Sequence, residues 1–163
     1  MRLMGFIGAS GSGKTTLIAQ LLPLLRRQGF TVSTIKHAHH GFDIDRPGKD
    51  SFLHRQAGAE EVMVVSGGRW ALLREQDDAD GSLAGLVARM APVDLLLVEG
   101  FKEESIPQIE VYRPALDKPP FYPGSPRILA VASDAHIADR MALPLSDPGR
   151  IADFVVAHAE ALS

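Results

Sequence analysis

Gly8-Ala9-Ser10-Gly11-Ser12-Gly13-Lys14-Thr15 lies between the apolar run Leu3 to Ile7 and the apolar stretch Leu17 to Leu25. No other feature of the chain restricts its fold as much. The octet fits the pattern G-x-x-x-x-G-K-[ST], and its flanks read as the buried strand and helix that a phosphate-binding P-loop requires. Glycines at Gly8, Gly11 and Gly13 let the backbone turn tightly and bring N–H groups close to phosphate oxygens. The helix that follows opens with its positive end toward the same phosphates. In this reading the loop binds a nucleoside triphosphate. Lys14 reaches the β- and γ-phosphates, and the Thr15 hydroxyl helps coordinate a Mg²⁺ ion.

The rest of the chain agrees with that start. Near-continuous apolar runs at Leu3 to Ile7, Thr31 to Ile35, Val62 to Val65, Asp94 to Val98 and Ile128 to Ala132 read as strands of a mainly parallel sheet buried on both faces. Helical patterns cover Lys14 to Gln28, with Gly29 as its C′ residue and a kink expected at Pro23, then Ser82 to Met90 and Asp147 to Leu162. The expected fold is therefore α/β, a P-loop NTPase-like three-layer sandwich. Val62 to Val65 and Trp70 to Arg74, joined through Ser66-Gly67-Gly68, predict an antiparallel hairpin at the sheet edge. Gln108 to Arg113 is a candidate extra strand. Pro114, Pro119, Pro120, Pro123 and Pro126 predict a surface loop between Arg113 and Arg127.

At 163 residues and 45% hydrophobic content, residues 1–163 are expected to form one domain with a real core. The formal charge of −3 argues against a general nucleic-acid or membrane-surface binder, so any basic site is local. With no cysteine, disulfides, thiolate metal sites and cysteine nucleophiles are excluded. Met1-Arg2 leads straight into the first strand without a signal-like leader, and no apolar run approaches membrane length. The expected location is cytoplasmic.

Other candidate groups cluster at predicted strand ends, where open α/β sheets bind ligands. Lys36, His37, His39 and His40 follow the second strand, and Lys49, His54 and Arg55 come soon after. The histidine cluster is open to three readings: contact with phosphates or another anion, a solvated loop, or metal ligation. Asp43 and Asp45 could face the P-loop, and Asp45 is the preferred Mg²⁺ ligand of the two. Glu99 ends the Asp94 to Val98 run, where a carboxylate can hold Mg²⁺ or orient an attacking water. Lys102, three residues on, faces either a second anion or solvent. Ser133 and Asp134 end the last predicted strand. A carboxylate there can accept from guanine N1–H and the exocyclic amine, although a helix cap explains either residue equally well. Lys14, Asp45 and Glu99 are thus the candidate catalytic residues, and Thr15, Asp45 and Glu99 the candidate Mg²⁺ ligands.

In order, these pieces resemble the molybdopterin-guanine dinucleotide biosynthesis adapter (MobB) family of P-loop GTP-binding proteins. The most specific stretches are Ile35-Lys36-His37 with His39-His40, Phe42-Asp43-Ile44-Asp45, Pro47-Gly48-Lys49-Asp50-Ser51, Arg55 with Ala57-Gly58-Ala59, Leu97-Val98-Glu99-Gly100-Phe101-Lys102, and Ala130-Val131-Ala132-Ser133-Asp134. The resemblance implies a homodimer that binds GTP with Mg²⁺, hydrolyses it slowly, and assists the nucleotidyltransferase MobA in joining GMP to molybdopterin. Gly11, Ser12, Gly13, Lys14, Thr15 and Thr16 would then cradle the phosphates, and Ser133 and Asp134 would lie near the guanine. Lys36, His37, His39, His40, Lys49, Arg55 and Lys102 would face molybdopterin or the partner's active site. An adapter, a slow GTPase at most, is the leading reading, because no arginine finger or dedicated base stands out. A small-molecule kinase with its acceptor at the histidine loop is the alternative, and a pure interaction module the third.

Overall fold

The computed structural model describes residues 1–38, 45–75 and 81–162. They fall into two compact units, Met1–His37 with Met90–Ser163, and Ala38–Arg89.

In the first unit the strands are β1 (Arg2–Ile7), β2 (Val32–Lys36), β5 (Leu95–Glu99), β6 (Gln108–Val111), β7 (Ile128–Ser133), β8 (Met141–Pro144) and β9 (Glu160–Ala161); β3 and β4 belong to the second unit. They form one sheet in the order β2-β5-β1-β6-β7-β8, with β9 pairing β1. All neighbours are parallel except β9, which runs antiparallel to Arg2 and Leu3 while β6 takes Gly5 to Ile7 on the same side of β1. The candidate extra strand at Gln108 is thus a central parallel strand. Parallel pairing places the carboxyl ends of β2, β5, β1, β6 and β7 along one edge.

Helix α1 (Lys14–Arg27) buries Leu17, Ile18, Leu21 and Leu25. Their i, i+4 spacing lays one stripe on the sheet, beside helix α4 (Pro148–His158) with Ile151, Ala152 and Val155. Met4, Phe6, Leu95, Leu97, Ile109 and Val111 complete that core. The helix runs through Pro23 without interruption and stops at Gly29, whose φ of 94° suits a C′ glycine. The opposite face carries a smaller cluster of Ile7, Ile128, Val131 and Ile137, with Tyr112 and Tyr122 against it.

Only two short 3₁₀ turns, Pro114–Leu116 and Tyr122–Gly124, interrupt the proline-rich segment. Glu110, buried on β6, anchors it by accepting from the backbone N–H groups of Phe121 and Tyr122 at 2.8 to 3.0 Å. Burial pushes the Glu110 carboxyl above the usual range, and those two N–H donors pull it partly back. At the other sheet edge β2 is only partly buried, unlike the two-faced burial expected. It is tied to β5 by Thr31, whose N–H and hydroxyl both donate to Asp94; those hydrogen bonds, the hydroxyl's first, hold the Asp94 carboxyl below its usual range.

The second unit contains helix α2 (Asp50–Gln56), strands β3 (Glu61–Ser66) and β4 (Arg69–Arg74), and helix α3 (Leu83–Val87), capped by the Ser82 hydroxyl accepting from Gly85 N–H at 3.1 Å. The expected hairpin is present with Gly67-Gly68 at its turn, but among the described residues its strands pair only with each other, as a separate two-stranded sheet.

Candidate functional site

At the end of β1, Gly8, Gly11 and Gly13 have φ of 141°, 79° and 99°, values that L side chains rarely adopt. Gly13 caps α1 in a left-handed conformation without a side-chain cap, and the first turn carries no acidic residue. The leading N–H groups and the positive helix end therefore meet no competing carboxylate from their own turn. Lys14 folds over the loop, its ammonium donating to the carbonyls of Gly8 at 2.8 Å and Ala9 at 2.9 Å. Burial lowers its pKa; the Glu99 charge raises it again, and Lys36 adds to the lowering.

Beside that loop, the Thr15 hydroxyl donates to Glu99 Oε1 at 2.8 Å and lies 3.1 Å from Oε2. Lys36, at the end of β2, donates to Thr15 Oγ1 at 3.1 Å and pairs with Glu99 Oε1 at 3.3 Å. The three meet because β2, β5 and β1 are consecutive in the sheet and their carboxyl ends lie side by side. Thus Lys36, expected on the pterin or partner side, sits on the candidate metal ligands. A positive group already rests on the hydroxyl–carboxylate pair, and hard oxygen donors of this kind suit Mg²⁺.

The turn after Glu99 is built for close approach. A Cβ on Gly100, at φ 91°, would lie 2.9 Å from His37 Cβ, and Phe101 follows with φ 54°. The His37 ring packs on Phe101 with centroids 4.9 Å apart, and the His37 N–H donates to Glu99 O at 2.9 Å. Lys102 points toward the proline-rich loop, its ammonium 5.7 Å from the Phe121 ring centroid and 3.7 Å from Glu103.

Two strands away, Ser133 and Asp134 end β7. The buried Ser133 hydroxyl accepts from Ala135 N–H at 3.1 Å, so it caps the turn, whereas Asp134 is exposed. Both line a groove of 420 Å³ with Ala135, His136, Ala142 and Pro144. Arg113, just past β6, reaches toward both sides. Its Nε donates to Ser12 O at 3.0 Å and its Nη1 to Asp134 Oδ2 at 3.0 Å. Sequence reasoning passed over Arg113 because its importance depends on β6 lying between β1 and β7, an order that spacing does not reveal.

Asp45, Lys49 and Arg55 belong to the second unit. Asp45 Oδ1 accepts from Ser51 Oγ at 2.8 Å and Oδ2 from Arg55 Nε at 2.9 Å. Arg55 also pairs with Glu75 and lies 5.7 Å from the Phe52 ring centroid. Lys49 and His54 line a groove of 510 Å³ with Asp50, Ser51 and Val62 to Val65. His39, His40 and Asp43 lie outside the described residues. Among the described residues no group of three or more His, Cys, Asp or Glu side chains is placed to hold a metal ion. No helix among them is long and apolar enough to cross a membrane.

Comparison with known proteins agrees with this geometry. The family model for molybdopterin guanine dinucleotide synthesis protein B matches residues 3–134. The molybdopterin-guanine dinucleotide biosynthesis adapter protein of Escherichia coli (strain K12) is 43% identical over 159 residues, 94% of this chain and 91% of that protein. The Haemophilus influenzae protein of the same name is 40% identical over 156 residues, 94% of this chain and 86% of that protein. A crystal structure of molybdopterin-guanine biosynthesis protein B superposes with a TM-score of 0.77 at 28% identity, covering 95% of this chain and 98% of that one.

Proposed function

The chain belongs to the molybdopterin guanine dinucleotide synthesis protein B family, and from that premise we propose that it binds GTP with Mg²⁺ as a homodimer serving the nucleotidyltransferase MobA. Its role is that of an adapter in molybdopterin guanine dinucleotide biosynthesis. The observation that carries the GTP reading is convergence on one sheet edge: the P-loop after β1, the Thr15–Glu99 pair from α1 and β5, and Asp134 after β7.

Each group has a task that follows from its chemistry. Loop N–H groups and Lys14 neutralise the phosphates. Thr15 and Glu99 would hold Mg²⁺, which supplies charge to the phosphate oxygens when bound. Lys36 would yield those oxygens to the ion and remain as a neighbouring cation. Asp134 would accept from the guanine edge, which adenine cannot match in that arrangement. Glu99 Oε1 already accepts from Thr15 and pairs with Lys36, and Oε2 lies 3.1 Å from the same hydroxyl. A carboxylate engaged in this way suits cation binding better than taking a proton from water, so hydrolysis is slow. Molybdopterin or the partner would meet Lys102 just past the Glu99 turn, and in the second unit Lys49 is a further cation for either.

Calorimetric titration with Mg·GTP and Mg·ATP, followed by phosphate release over hours, tests this reading. Selective GTP binding with slow release is expected, and MobA added next should engage the loaded protein. Preference for ATP, or fast turnover only with a small acceptor, would mark a kinase instead.

The homodimer has its own support. Met63 pairs with Leu72 and Val65 with Trp70 across β3 and β4, so all four side chains share one face. All four are exposed, Val65 and Trp70 by about two-thirds. A two-stranded sheet with such a face gains by burying it against a second copy. Trp70→Glu is expected to convert the protein to monomers in sedimentation velocity while leaving the far-UV spectrum unchanged; a variant still dimeric at micromolar concentration would place the interface elsewhere.

A further inference from the structure

We propose that Arg113 is a positioning residue for nucleotide specificity, a strut that holds the Asp134 carboxylate at a fixed offset from the phosphate loop. The inference rests on Asp134 acting as the guanine acceptor, and it adds a residue that neither composition nor motif singles out. Arg113 makes two hydrogen bonds through different nitrogens of one planar group, to Ser12 O in the P-loop and to Asp134 Oδ2 after β7. A planar fork bound at both ends fixes direction as well as distance, which a flexible ammonium cannot do. A Cβ on Gly13 would lie 3.8 Å from both Nε and Nη2 of Arg113, so the guanidinium rests on the loop itself.

The strut is also braced from behind. Tyr112 N–H donates to Ala132 O at 3.0 Å, joining the end of β6 to β7 one residue before Arg113. Leu116 N–H donates to Arg113 O at 3.1 Å, and buried Glu110 holds the returning loop at Phe121 and Tyr122. An isolated exposed ion pair would contribute little and wander. Here the guanidinium has a second anchor, and the backbone carrying it is held on both sides.

The use of the strut follows from which oxygens are engaged. Arg113 takes Asp134 Oδ2, while among the described residues Oδ1 accepts no hydrogen bond. The Ser133 hydroxyl is committed to its own turn. Asp134 Oδ1 is thus the acceptor available to a base in the adjoining groove, and Arg113 sets how far it stands from a phosphate on the P-loop. Guanine brings two adjacent donors, N1–H and the exocyclic amine, to that oxygen, whereas adenine brings an amine beside an N1 acceptor that the carboxylate repels.

Affinities for Mg·GTP, Mg·ATP and inorganic tripolyphosphate decide the matter, measured on the full chain and on Arg113→Ala, Arg113→Lys, Asp134→Ala and the Arg113→Ala/Asp134→Ala double variant. Arg113→Ala is expected to reduce the GTP-over-ATP preference by about tenfold or more, with much smaller losses for ATP and tripolyphosphate. The double variant should discriminate no worse than Asp134→Ala alone, because both changes break one device. Arg113→Lys keeps the charge, loses the fork, and should lose most of the preference while melting as the parent does. Equal losses of GTP and ATP would make Arg113 a phosphate contact and overturn the strut. So would additive effects, or preference retained in Arg113→Ala. A parent protein with no guanine preference would overturn the GTP reading itself, and the strut with it.

Discussion

Gly8→Ala is expected to lower the melting temperature by roughly 10 to 20 °C and to abolish triphosphate binding in whatever folded protein remains. Gly8 has φ 141°, a conformation essentially reserved for glycine, and a Cβ there would lie inside contact distance of the Val111 carbonyl oxygen and 3.0 Å from Ser12 Oγ. Backbone strain of this kind costs about 1–3 kcal/mol, and overpacking a rigid site about as much again. Neither can be relieved cheaply. Val111 belongs to β6, which is held between β1 and β7, so moving its carbonyl disturbs two ladders. Gly29→Ala supplies the control, because Gly29 has φ 94° with nothing within 4 Å of the added atom. It carries strain without a clash and should cost only about 1 kcal/mol. Thermal melts of the two variants separate the contributions. If Gly8→Ala melts within a few degrees of Gly29→Ala, the close approach of β1 to β6 does not govern the loop.

The fold was legible where one segment carries its own signal. β1, α1, β5 and β7 each combine an apolar run or stripe with a distinctive end, and they appear within a residue or two of the expected bounds. α2 was not expected, since its seven residues bury none of their side chains and so leave no stripe to read. β8 is four residues long with one buried, and it ends in Pro144. β9 has two residues whose pairing is fixed only by β1 being free at Arg2 and Leu3. A glycine turn between two apolar runs predicts the hairpin, but a turn says nothing of which sheet, if any, the strands join.

The candidate site divides along the same line. Lys14, Thr15 and Glu99 follow from motif and strand end, so their meeting could be anticipated. Lys36 stands out in the sequence only through the histidines beside it, whereas its place beside Thr15 and Glu99 comes from β2 lying next to β5. Arg113 follows from β6 separating β1 and β7. Strand order is a property of the whole sheet, decided by crossover connections and by which strands can be covered on both faces. A local pattern therefore identifies groups that can act, and only the assembled sheet determines which of them act together.

Lys14→Ala should weaken Mg·GTP binding by about 100-fold or more while the ligand-free protein melts within a few degrees of the parent. A charge-assisted hydrogen bond contributes about 1.5–3 kcal/mol, and an ammonium engaging two phosphates makes two. The ligand-free protein loses the two hydrogen bonds to Gly8 O and Ala9 O, but it is also relieved of a charge that burial disfavours. With its folded-state pKa lowered, Lys14 binds fewer protons in the folded chain than in the unfolded one between the folded pKa and the ordinary lysine value. The burial cost is therefore fully present below that window and fades as pH rises through it. A bound triphosphate acts in the opposite direction, since nearby negative charge favours the ammonium and raises the pKa again. Proton uptake should accordingly accompany GTP binding within that window and vanish well below it, where Lys14 is charged in both states. Calorimetry in buffers of different ionisation enthalpy measures that uptake directly, and Lys14→Ala should remove it. Undiminished uptake in the variant would assign the proton to another group, and undiminished affinity would remove Lys14 from the phosphate site altogether.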